Sequence, residues 1–111
     1  MTGKQDPAAE VFAALSDPTR RQVMRRLARD GSATPTELAA ELPITRQAVS
    51  KHLAALEEAG LVSPERSGRE TRYSFTPEAL SDAVGWIEDL SDQWGRRLER
   101  LRKHLEGPPE R

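Results

Sequence analysis

Apolar positions recur at helical spacing through four consecutive blocks, switch to period two, and then return to helical spacing over the remainder of the chain. In the first block, Val11, Phe12 and Leu15 lie on one side of residues 8–15, opened by Asp6-Pro7. Ser16-Asp17-Pro18 then supplies a cap and a proline at the first helical position, which predicts a second helix to about Arg29 with Val23, Met24 and Leu27 on one side. Asp30-Gly31 ends it, the glycine suiting the left-handed residue after a helix. Thr34-Pro35-Thr36-Glu37 reads as a capping box with proline at the first position, and Pro43 stops the short helix that carries Leu38, Ala39 and Leu42. Thr45 caps a fourth helix, residues 46–58, whose Val49, Leu53 and Leu56 share a face and which Gly60 closes.

Beyond Gly60 the period changes. Leu61-Val62 opens an extended piece that Pro64 confines to a sheet edge. Ser67-Gly68 marks a turn, and Thr71, Tyr73 and Phe75 alternate with Arg72 and Ser74 as a half-buried strand does. Thr76-Pro77 starts a long helix that runs to about Glu106, where Gly107-Pro108-Pro109 breaks it. The pattern predicts a mainly α protein with a small β-hairpin, in the winged helix-turn-helix layout. Residues 7–106 form its one domain, residues 1–6 a disordered start and residues 107–111 a flexible tail. At 111 residues there is room for little more than that domain.

The last helix carries Leu80, Val84, Ile87, Ser91, Trp94, Leu98, Leu101 and Leu105 at alternating steps of four and three, a heptad seam that Trp86 and Leu90 widen. A domain this small cannot cover all of it. Leu80 and Val84 are expected to serve the core. Val11, Phe12, Leu15, Ile87, Trp94, Leu98, Leu101 and Leu105 are expected at a two-fold interface between copies.

Composition narrows the chemistry. With no cysteine, disulfides and thiolate metal sites are excluded. No apolar run approaches the ~18 residues of a membrane span, and the start lacks a signal-peptide stretch, so a cytoplasmic protein without membrane contact is expected. The net charge of −1 does not announce a nucleic-acid ligand, so local charge has to carry that reading. Locally it does. With Val49, Leu53 and Leu56 facing the core, Arg46, Gln47 and Ser50 face elsewhere near the helix N-terminus, and these types suit guanine, adenine and mixed base edges. Between Pro43 and Leu56 there are two bases and no acid; Glu57 and Glu58 come only at the far end. The hairpin adds Arg66, Arg69 and Arg72, suited to phosphates or an adjacent minor groove, and the second helix adds Arg20. An enzyme is not expected: Ser50 and His52 point apart on one helix, and there is no glycine-rich phosphate loop.

Leu15-Ser16-Asp17-Pro18-Thr19-Arg20-Arg21 resembles the opening signature of ArsR-type winged-helix transcriptional repressors. Ile44-Thr45-Arg46-Gln47-Ala48-Val49-Ser50-Lys51-His52-Leu53, followed by Leu56-Glu57-Glu58-Ala59-Gly60-Leu61-Val62, is similar to their recognition helix and its entry into the wing. The resemblance covers residues 7–106. It implies a homodimeric repressor on a double-stranded DNA operator, with Thr45, Arg46, Gln47, Ser50, Lys51 and His52 at the recognition helix, residues 62–75 as the wing, and Arg69 there as a contact. For His52 two readings stand side by side: a base contact, or a packing or phosphate residue. Many members of this family sense metals through paired cysteines near the positions of residues 34–42, which this chain lacks. A second family site uses His and Asp on the last helix. Here Asp82, Asp89, Asp92 and His104 read as a solvated face, so no metal and no cofactor is expected. Release from DNA would then fall to an unidentified effector or protein partner, if the repressor is not constitutive. The competing reading is a winged-helix protein-interaction module with little DNA affinity.

Overall fold

The computed structural model describes residues 6–107. In chain order it contains α1 (Pro7–Ala14), α2 (Pro18–Asp30), β1 (Ser32–Ala33), α3 (Pro35–Glu41), α4 (Arg46–Glu58), β2 (Val62–Ser67), β3 (Glu70–Phe75), a single 3₁₀ turn (Pro77–Leu80) and α5 (Ser81–Glu106). The helix starts follow the cap chemistry. Asp6, expected in the disordered start, instead accepts the Ala9 N–H and caps α1, while the expectations for residues 1–5 and 108–111 lie outside the described residues. Asp17 Oδ1 accepts the N–H groups of Thr19 (2.7 Å) and Arg20 (3.1 Å) at α2. Thr34 and Glu37 close the capping box of α3, and the Thr45 hydroxyl accepts the Ala48 N–H at α4.

The core lies where α2, α3 and α4 meet the base of the hairpin. Val23, Leu27, Leu38, Val49, Leu53, Leu56 and Leu61 are fully buried there, with Val11 and Ala14 of α1 and Ala83 of α5 closing one side. At ~1.5–3 kcal/mol for each large apolar side chain removed from water, this cluster supplies the main driving force for the three-helix arrangement.

The sheet is antiparallel in the order β1-β3-β2, so β2, with Pro64, is an edge as expected. β1 was not foreseen. Two residues give no periodicity, and this strand exists because Ser32 and Ala33 pair with Ser74 and Tyr73 of β3. That pairing also removes the expected alternation along β3: residues 71–75 are all half-buried, since Ser74 sits beside Ser32 and Arg72 reaches back to α3. The last helix begins later than expected. The Thr76 hydroxyl bonds the Ser63 hydroxyl (3.1 Å) and caps nothing, so the first turn tightens to 3₁₀ before α5 starts at Ser81. The core contact of that region is made by Leu80 and Ala83, whereas Val84 is exposed.

α5 leaves the domain. Its 26 residues span about 39 Å at 1.5 Å per residue. The molecule measures 76 × 36 × 21 Å, and its radius of gyration is 20.0 Å where a compact chain of this length has about 13 Å.

The carboxylates that tie these elements together predict an acid response. Glu37 is held below the ordinary Glu range by the Thr34 N–H and then by the Arg72 guanidinium; Glu41 is held below it by Arg26, whose Nε lies 2.6 Å away. A carboxyl depressed in the folded state stabilises it above the unfolded pKa of about 4.3, and that contribution is lost as pH falls through the folded value. Thermal unfolding followed by circular dichroism should therefore give Glu37→Gln a lower midpoint than the parent at pH 7, with the two converging toward pH 3. A constant difference across that range would contradict the assignment.

Candidate nucleic-acid interface

α4 is divided lengthwise. Val49, Leu53 and Leu56 face the core with no exposed area, and Ile44 packs beside them just ahead of the helix. Arg46, Gln47, Ser50 and Lys51 are exposed and make no hydrogen bond or ion pair among the described residues. The four thus form an open face over the first turn and a half of the helix. The unbonded N–H groups at the same end add partial positive charge. The acids of α4, Glu57 and Glu58, lie at its opposite end. A helix held by one face and presenting unpaired Arg, Gln, Ser and Lys on the other can form base-edge and phosphate hydrogen bonds without first breaking internal ones.

His52 and Ala55 lie on the flank of α4 and are half-buried. The His52 ring does not share the open face. Its Nδ1 accepts a hydrogen bond from Arg20 Nε at 3.3 Å, across 32 residues of sequence. Arg20 stands in the first turn of α2, and its own N–H is bonded to Asp17. That bond holds the Asp17 carboxyl below its ordinary range, helped by the Thr19 N–H and the neighbouring Arg20 charge. Thr45 is exposed, but its hydroxyl is engaged as the α4 cap.

The three hairpin arginines separate. Arg69 follows Gly68 at the tip, where Gly68 adopts φ 61°, and it is exposed with no partner among the described residues. Among the described residues Arg66 bonds only the Gly68 carbonyl, through Nε. Arg72, expected to face DNA with them, is turned inward: Nη2 and Nη1 donate to the two Glu37 oxygens at 3.1 and 3.3 Å, and Nε donates to the Ser32 hydroxyl. It staples the wing to α3 and β1. In the sequence Glu37 was already accounted for by the capping box, and nothing marked Arg72 as its second partner.

The residues expected between copies also divide. Val11, at 2% exposure, belongs to the protomer core, and Leu15 is half-buried against it. Phe12, Ile87, Trp94, Leu98, Leu101 and Leu105 are exposed, as are Trp86 and Leu90. The Phe12 and Trp86 rings meet edge to face at 5.6 Å and join α1 to α5. No cluster of His, Asp and Glu able to hold a metal ion occurs among the described residues. Among the described residues no helix is long and apolar enough to cross a membrane.

Residues 15–65 match the family described as a helix-turn-helix domain. The chain is 40% identical over 95 residues to YuzN of Bacillus subtilis (strain 168), an HTH-type transcriptional regulator, spanning 79% of this chain and 100% of that one. The transcriptional repressor SdpR of the same organism is 35% identical over 77 residues, 69% of this chain and 84% of its own. Among solved structures, an ArsR-like transcriptional regulator from Rhodococcus sp. RHA1 superimposes with a TM-score of 0.74 at 39% identity, covering 91% of this chain and 94% of that one.

Proposed function

The chain belongs to the ArsR-type winged helix-turn-helix family and is a DNA-binding transcriptional regulator, and we propose that it acts as a homodimeric repressor whose two α4 helices read a pseudo-palindromic operator. The observation that carries this is the divided surface of α4. Arg46, Gln47, Ser50 and Lys51 are free on the face opposite a fully buried apolar row. Each α4 enters a major groove by its N-terminal half, with Arg46 and Gln47 on base edges, while Arg69 and Arg66 at the wing tip lie on the backbone or in the adjacent minor groove. Its place of action is the cytoplasm, on the nucleoid. Repression as the direction of control is supported by the likeness to SdpR.

The homodimer rests on α5. Trp86, Ile87, Leu90, Trp94, Leu98 and Leu101 form a continuous exposed stripe, each about half accessible, and a contiguous apolar surface of this kind marks an interaction site. Charge along the helix selects the occupant. Its first half carries Asp82, Glu88, Asp89 and Asp92 and no base; its second half carries Arg96, Arg97, Arg100, Arg102 and Lys103 against Glu99 and Glu106. Arg102 pairs within its own helix with both of those acids. A second copy laid antiparallel, about a two-fold axis perpendicular to the helix, sets acidic half against basic half at both ends. It also brings two basic reading faces together, which reconciles DNA binding with a net charge of −1.

Two measurements test the reading. Arg46→Ala is expected to cost about 1–3 kcal/mol on a preferred duplex and much less on a random one. An equal loss on both would remove Arg46 from base recognition. Leu98→Glu with Leu101→Glu, positions that touch no core residue, should convert a dimer into a folded monomer in sedimentation equilibrium and weaken duplex binding at least tenfold. An unchanged sedimentation profile would refute the α5 interface.

A further inference from the structure

A helix about 10–12 Å across nearly fills a major groove about 12 Å wide. Side chains on its outward face then meet base edges, and groups on its flanks stand against the phosphates that rim the groove. His52 is on such a flank, half-buried, and its Nδ1 is already occupied by Arg20 Nε. The cation presented at that flank is the Arg20 guanidinium, which borders a hollow shared with Glu10 and Glu58. Its Nη1 and Nη2 make no hydrogen bond among the described residues, and its backbone is fixed by the Asp17 cap at the start of α2. An unrestrained arginine loses side-chain freedom when a ligand fixes it, and a prior bond to Nε removes part of that cost.

We propose that His52 is a positioning residue: its Nδ1 holds the Arg20 guanidinium beside α4, where the two free terminal nitrogens of Arg20 bind a DNA phosphate. The inference rests on the reading that α4 lies in the major groove. It assigns His52 no base contact and makes its influence on DNA pass through Arg20. Because a phosphate carries no sequence information, the contact strengthens binding to any duplex equally.

The test uses the full chain and a random-sequence duplex of 30 base pairs, with affinity measured by fluorescence anisotropy across salt concentration. Arg20→Ala should reduce the slope of log affinity against log salt by about 0.9, so that its affinity deficit changes roughly threefold between about 50 and 200 mM salt. His52→Ala should reproduce that loss of slope, and the double variant should lose no more than either single one. His52→Asn, whose Oδ1 takes the place of Nδ1, should bind as the parent does. His52→Gln, whose carbonyl reaches the place of Nε2 instead, should behave as His52→Ala. Thermal midpoints measured alongside separate a folding defect from lost contact. Additive losses in the double variant, an unchanged slope for His52→Ala, or a His52→Asn variant as weak as His52→Ala would each overturn the proposal. If the parent itself bound the duplex without salt dependence, the placement of α4 in the groove would fail and the role of His52 with it. A failure confined to the His52 variants leaves that placement standing.

Discussion

A helix that reads DNA has to be held firmly by one face while the other stays unpaired, and the rest of this structure serves that requirement. Val49, Leu53 and Leu56 fix α4 by complete burial against α2, α3 and the first strand of the wing. The price is a helix whose other residues are excluded from the core: four polar side chains near its start, and two acids kept at its far end. Propensity and capping decide where α4 begins; packing decides which way it faces.

The same division appears at larger scale in α5. Ala83 and, just before the helix, Leu80 reach the core, and Phe12 meets Trp86 where α1 crosses. Beyond Leu90 the helix continues its apolar stripe with none of the described residues to cover it. The apolar row on α4 finds its partner within the protomer, while the row on α5 does not. The opposed charges of the two halves of α5 limit what kind of surface can supply the missing partner.

Much of this was legible in the sequence because the signals are local. Asp17-Pro18, Thr34-Pro35 and Thr45 each mark a helix start through hydrogen bonds made within three residues, and all three act as expected. Gly60 and Gly68 sit where the chain must turn with positive φ. The errors share a different origin. β1 is two residues long and exists only through its pairing with β3, some 40 residues away. The position of Arg72 beside Arg66 and Arg69 points to the DNA side, but Glu37, 35 residues earlier, turns it inward. Thr76 looked like a cap until Ser63 took its hydroxyl. Val11 shares the apolar face of α1 with Phe12, yet a rotation of one residue places it in the core and Phe12 at the surface. Each of these depends on long-range geometry that residue type and spacing do not encode. The Arg20–His52 bond is of the same kind, and the structure therefore shows a link between α2 and α4 that the two motifs, read separately, conceal.

The claim on which the account turns is that two copies of α4 read base edges in neighbouring turns of one duplex. Selecting bound sequences from a random duplex pool with the purified protein tests it most directly. The account predicts enrichment of two half-sites related by a dyad, with centres about one helical turn, ~10 base pairs, apart or a multiple of that. Recovery of duplexes with no common motif, or of a single unpaired half-site, would contradict it.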